Sequence, residues 1–255
     1  MKIVMLCSIG DSSAIVYNKL SQHFKIEKVI IEKKTPRKVF LKRRIKRLGF
    51  FKAMSQVAFS SVIVPILKKE SADRQREILD EYNVKIDYDK LLNENTLHVS
   101  SVNSKECIEA LQELNPDIIV VNGTRIISKE VLNCVDAAFI NMHAGITPKY
   151  RGSHGAYWAL YNNDKQNAGV TIHFVDEGID TGNILYQSVI PITEKDNFVT
   201  YPLLQTCIGV NDEIKAINDI IAGNPKTISN DLPSSLYTHP TFFEYIYHRL
   251  KDGVK

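Results

Sequence analysis

Three residues near the middle of the chain have side chains suited to acyl chemistry: Asn141, His143 and Asp180. Asn141 and His143 are two apart at the end of a short apolar run, Ala137–Ile140, so on extended backbone their side chains share a face. An amide donor beside an imidazole suits a reaction in which a carbonyl oxygen gains negative charge while protons move. Asp180 arrives on a separate turn, Asp176-Glu177-Gly178-Ile179-Asp180-Thr181-Gly182, and can fix the charge or tautomer of that imidazole or accept a proton. The chain has no Gly-x-Ser-x-Gly, and so no Ser or Cys set as a nucleophile on a strand-to-helix elbow. Direct transfer of an acyl unit to an external nucleophile therefore fits better than a covalent enzyme intermediate.

The elements around these residues alternate. Lys2–Cys7 is a continuous apolar run, as in a buried parallel strand, and Ile26–Ile31 and Ile118–Val121 read the same way. Helical patterns follow each of these runs, so the expected architecture is α/β, a doubly wound and mainly parallel Rossmann-like sheet. Gly169–Val175 is a further strand, and its polar end gathers with that of Ala137–Ile140, where open α/β sheets place their ligands. Gly10, Asp11, Ser12 and Ser13 open the first helix, a place where free backbone N–H groups can receive a phosphate. Ile184–Ile192 reads as a strand with an edge position at Pro191, and Asn197–Ile221 as a helix.

The ordered set Asn141, His143, Pro148, Arg151-Gly152, His173 and Asp180-Thr181-Gly182 resembles the family of formyltransferases that use 10-formyltetrahydrofolate. The resemblance is good from about Ile118 to Ile192 and implies the formyltransferase fold. It implies that Asn141 and His143 donate to the oxyanion while Asp180 assists proton transfer and sustains a charged His. It places Gly123, Thr124, Arg125, Ile126 and Ile127 against the folate, with His173 and Asp176 in the same site. It also implies amine-substrate contacts at Gly10–Ser13, Lys149, Tyr150 and Arg151, with Tyr237 a further candidate in the tail. The wording Asn-Met-His-Ala-Gly-Ile-Thr-Pro with Gly-Ser-His-Gly-Ala-Tyr-Trp-Ala-Leu looks most like the nucleotide-linked amino-sugar N-formyltransferases, which serve polysaccharide biosynthesis. Glycinamide ribonucleotide, or another small amine, is the alternative acceptor. A non-catalytic nucleic-acid-binding module on the same fold is the second alternative, and the intact Asn141, His143 and Asp180 speak against it.

Composition bounds the rest. The chain has 255 residues, 44% apolar and 24% charged, with a net charge of +3, ordinary for a globular protein. The four cysteines are scattered and the seven histidines form no His-x-x-x-His pair, so no metal is expected. Met1-Lys2 leads straight into a strand, and the longest apolar stretch, Val57–Leu67, is short for a bilayer. A cytoplasmic protein without membrane contact is the expectation, with small-molecule substrates (folate and a nucleotide sugar) as partners and nucleic acid disfavoured. Lys33–Arg47 (KKTPRKVFLKRRIKR) is the most basic stretch, with Leu41, Ile45 and Leu48 at helical spacing. It opens a helical insertion over about 36–82 that suits substrate entry or an oligomer contact, such as a homodimer. Residues 1–192 are expected to form the catalytic domain and 193–255 a C-terminal helical extension.

Overall fold

The computed structural model describes every residue, Met1–Lys255. In chain order the elements are β1 (Ile3–Ser8), α1 (Asp11–Leu20), β2 (Ile26–Glu32), α2 (Arg37–Leu48), α3 (Phe50–Ala58), a π turn (Phe59–Ile63), α4 (Val64–Glu70), α5 (Ala72–Glu81), α6 (Tyr88–Leu91), β3 (Thr96–Val99) and α7 (Lys105–Leu114). They continue as β4 (Ile118–Asn122), α8 (Lys129–Leu132), β5 (Ala138–His143), β6 (Arg151–Gly152), α9 (Gly155–Tyr161), β7 (Gly169–Phe174), β8 (Ile184–Val189), α10 (Thr200–Ile221), β9 (Leu236–Tyr237) and α11 (Phe242–Lys251).

Seven strands form one sheet in the order β3-β2-β1-β4-β5-β7-β8. The first five are parallel to their neighbours, and β7 runs antiparallel to both β5 and β8. Strand alternation divides the core. Ile3, Met5, Cys7, Ile118, Val120 and Ile140 pack under α1 and α10. Val4, Leu6, Ile119, Val121 and Phe139 pack on the other face with Cys107 and Leu111 of α7. With both faces covered, each parallel strand must be apolar throughout, which is why β1 and β4 read as unbroken runs.

A third, aromatic cluster joins the helices between β2 and α6 to the tail. Phe59, Tyr150, Tyr157, Phe198, Tyr201 and Tyr245 meet there, with edge-on contacts such as Phe59–Phe198 at 4.9 Å between ring centres. α10 contributes to two of the three clusters, with Val210, Ala216 and Ile217 in one and Leu204 and Cys207 in another. A boundary at 192 therefore cuts through the core. The apolar stretch also differs from its sequence reading: α3, the π turn and α4 run on as one helix, Phe50–Glu70, of 21 residues, long and apolar enough to cross a membrane by length and composition. In the fold one side of it faces the core, where its own Ala53, Gln56, Phe59 and Leu67 are buried.

Candidate active site

β5 extends beyond β4. The last paired residues are Val121 and Asn141; β4 then turns away at Gly123, whose positive φ of 65° suits glycine, while β5 continues through Met142 and His143 against β7. The notch so formed opens into a cavity of about 330 Å³. Asn141, His143, His173, Asp176, Asp180 and the whole run Gly123–Ile127 line it.

Strand period places Asn141 and His143 on one side, and β7 sets His173 opposite Asn141. β7 ends level with Ile140, so the turn after it must fold back to reach the end of β5. It does so at Asp180, which has a left-handed φ of 52°, a conformation that costs a non-glycine residue free energy and tends to mark functional turns. Asp180 Oδ2 accepts from the Gly152 amide at 2.9 Å and lies 3.3 Å from His143 Nδ1. The other nitrogen of His143, Nε2, donates to the Tyr150 carbonyl at 2.7 Å. Since the carboxylate is also an acceptor, the His143–Asp180 contact is complete only with a proton between the two.

His173 is fixed by the same accounting. Its Nδ1 donates to the Phe174 carbonyl at 2.7 Å, so Nε2 is the acceptor that receives the Asn141 amide at 3.1 Å. Burial, against the opposing pull of the Phe174 carbonyl, pushes the His173 imidazole below its ordinary range and keeps it neutral. One Asn141 N–H is thereby spent and the second remains for the cavity. His173 orients Asn141 more directly than it does Asp180, whose Oδ1 is 3.9 Å away. His143 has both nitrogens engaged, so of the two side chains only Asn141 keeps a donor for the cavity.

The Gly123–Ile127 wall is built from backbone. The amides of Ile126 and Ile127 make no hydrogen bond within the chain, and the Ile126 side chain is exposed beside them. Arg125 turns the other way: its guanidinium and amide both bind the buried Glu32 at the end of β2.

The expected amine-side residues lie apart from the cavity. Ser12 and Ser13 donate to Asn122 Oδ1 at 3.2 and 3.0 Å, Gly10 caps α1 without a side-chain bond, and exposed Asp11 accepts from Tyr88. Lys149 pairs with Asp164. Tyr150 is fully buried, its hydroxyl on Asp164 at 2.8 Å, so its side chain is closed to a substrate and its contribution to the site is the carbonyl. Arg151 reaches the Ile179 carbonyl at 3.0 Å and so holds the Asp180 turn. Tyr237 stacks on Tyr150 and Trp158 at 5.4 and 5.2 Å. Sequence reasoning missed Glu32, and it missed the Gly152 amide as the donor to Asp180. For the second the sequence offered only the glycine itself, and the structure gives its reason: Gly152 has φ 94°, and a side chain there would collide with the Tyr237 carbonyl.

A family model described as formyl transferase matches residues 50–202. A methionyl-tRNA formyltransferase of Azobacteroides pseudotrichonymphae is 36% identical over 135 residues, covering 53% of this chain and 41% of that protein. The chain thus spans about two fifths of that relative's length. Among solved structures, the fold is similar to an N-formyltransferase from Helicobacter canadensis in complex with folinic acid and dTDP-3-aminofucose (20% identity, TM-score 0.57, 93% of this chain and 71% of that one). It is also similar to a glycinamide ribonucleotide transformylase from Symbiobacterium toebii (18% identity, TM-score 0.56, 93% and 95%).

Proposed function

Because the chain belongs to the formyl transferase family, we propose that it moves a formyl group from 10-formyltetrahydrofolate to the primary amine of a nucleotide-linked amino sugar. The observation that carries the reading is the single cavity joining Asn141, His143 and Asp180 to the wall Gly123–Ile127. The donor fits it: Val121, Ile127, Met142 and Val175 offer apolar surface to a flat heterocycle, and the free amides of Ile126 and Ile127 offer hydrogen bonds to its edge. When bound, 10-formyltetrahydrofolate supplies the activated formyl carbon.

The chain's own residues do the rest. Asn141, held by neutral His173, directs its remaining N–H at the formyl oxygen as charge grows there. His143 and Asp180 hold the proton that the attacking amine must lose and return one to the leaving nitrogen. The Gly152 amide and the Tyr150 carbonyl fix that pair in place.

The acceptor reading draws support from the sugar-nucleotide complex among the structural relatives, a match that covers 93% of this chain. The test is a panel of dTDP-, GDP- and UDP-linked amino sugars beside glycinamide ribonucleotide and methionyl-tRNA, each assayed for folate-dependent formylation. We expect turnover of at least one amino sugar and little of the other two classes. Turnover of methionyl-tRNA or glycinamide ribonucleotide alone would replace the acceptor and leave the chemistry. No folate-dependent turnover of any amine would remove the chemistry as well.

A further inference from the structure

Residues 33–69 hold twelve of the chain's 32 Lys and Arg and none of its 29 Asp and Glu, so the remainder, with twenty bases against 29 acids, is net −9. Nearly all the positive character of this protein therefore sits on one insertion. α2 has no buried residue. Its outward face carries Lys42, Arg43, Lys46 and Arg47 with exposed Val39 and Phe40 among them.

The next helix adds apolar surface. Phe51 is 87% exposed, and Phe50 and Met54 are exposed on the same face. Val62 and Ile66 continue that stripe at four-residue spacing, both about half exposed. α11 packs against α3 and presents Phe243 (74%), Tyr247 and Leu250 (82%). Large apolar side chains left this far in water next to a basic helix are unusual for a surface with no partner.

We propose that α2, the Phe50–Glu70 helix and the outer side of α11 form a docking surface for an anionic lipid bilayer, with the helices lying in the plane of the interface. Basic side chains suit acidic headgroups, and Phe50, Phe51 and Met54 suit the boundary of the acyl region. The other occupants fit less well. A second copy meeting this face through a twofold axis would set twelve positive charges against twelve. An RNA would be drawn by the bases and could stack on a phenylalanine, but gains nothing from exposed Val62, Ile66 and Leu250. This proposal departs from the sequence expectation of no membrane contact, because composition does not reveal how much of this apolar surface is exposed.

The surface stands independently of the proposed acceptor, and its test does not depend on turnover. The full chain is sedimented with vesicles of phosphatidylcholine, alone or with about 30% phosphatidylglycerol, at about 0.1 M salt. We expect binding to the anionic vesicles, at least about tenfold weaker binding to neutral ones, and about a tenfold loss in Phe50→Glu/Phe51→Glu. Arg43→Gln/Lys46→Gln/Arg47→Gln should lose most of the lipid selectivity. Far-UV circular dichroism and unfolding temperature should match the wild type in both variants, since the altered residues are exposed. Absence of anionic-vesicle binding overturns the proposal. So does vesicle binding that Phe50→Glu/Phe51→Glu leaves unchanged, tRNA binding that this variant abolishes while vesicles are ignored, or a wild-type dimer that it converts to monomer.

Discussion

At the scale of single residues, the site leaves one hydrogen unspent. Asn141 has two N–H groups and His173 takes one, so the other is aimed rather than free to rotate. Asn141→Ala should lower kcat by about a hundredfold or more, the usual effect of removing an oxyanion donor, with donor binding within a few fold of wild type. A near-normal kcat would take Asn141 out of the mechanism. Asp180→Asn keeps an acceptor for the Gly152 amide but cannot share a proton with His143 as a carboxylate does, so kcat should again fall by about a hundredfold while folding is preserved. Glu213 poses a different question. It is buried on α10, neither oxygen has a hydrogen-bond partner, and burial pushes its carboxyl up to about 8. Below its ordinary range the group is protonated whether the chain is folded or not, and stability is unaffected. Between that range and about pH 8 the folded state holds a proton the unfolded state has lost, so stability declines by about 1.4 kcal/mol per pH unit and then levels off. Glu213→Gln should remove this decline: its unfolding temperature should match wild type near pH 4 and exceed it at pH 8.5. Equal pH slopes in the two proteins would show that Glu213 is not buried as an acid.

Among the elements, the two-residue strands β6 and β9 have an effect out of proportion to their length. Their pairing joins Arg151–Gly152 to Leu236–Tyr237, and the Gly152 amide is what holds Asp180. Tyr237→Ala removes the ring that stacks on Tyr150 and Trp158. We expect a loss of about 2–3 kcal/mol of stability together with a lower kcat, because the Asp180 anchor loosens. Tyr237→Phe, which gives up only the bond from Asn162, should cost about 1 kcal/mol or less. A Tyr237→Ala variant with raised acceptor KM and unchanged stability would instead make Tyr237 a substrate contact. The parallel strands, α1 and the helices between β2 and α6 were legible in the sequence because burial on both sheet faces and a 3.6-residue period leave long signals. β6 and β9 were not, since two residues carry no period. The site was legible where spacing along one strand decides it, as for Asn141 and His143. It was not where backbone does the work, as with the Tyr150 carbonyl, or where a charge is spent internally, as with Arg125 on Glu32.

For the whole molecule, α10 makes the core indivisible. Each of Leu204, Val210 and Ile217 is fully buried and contributes about 1.5–3 kcal/mol, which together rivals the 5–15 kcal/mol that typically holds a domain. A fragment of residues 1–192 should therefore show no cooperative unfolding transition in urea, and a sharp transition would make it an autonomous domain. The sheet order has a further consequence, for the chain as it emerges from a ribosome. β1 sits in the middle of the sheet, and one of its two neighbours is β4, whose Ile118 pairs with Ile3. At about 5–20 residues per second, β1 waits on the order of ten seconds for that partner. Until then an apolar strand with an open edge is held only by β2, and the segment made in between bears the exposed Phe40, Phe50 and Phe51. Nascent chains arrested before Asn122 should thus remain protease-sensitive and bind trigger-type chaperones, while chains arrested beyond α10 should resist digestion.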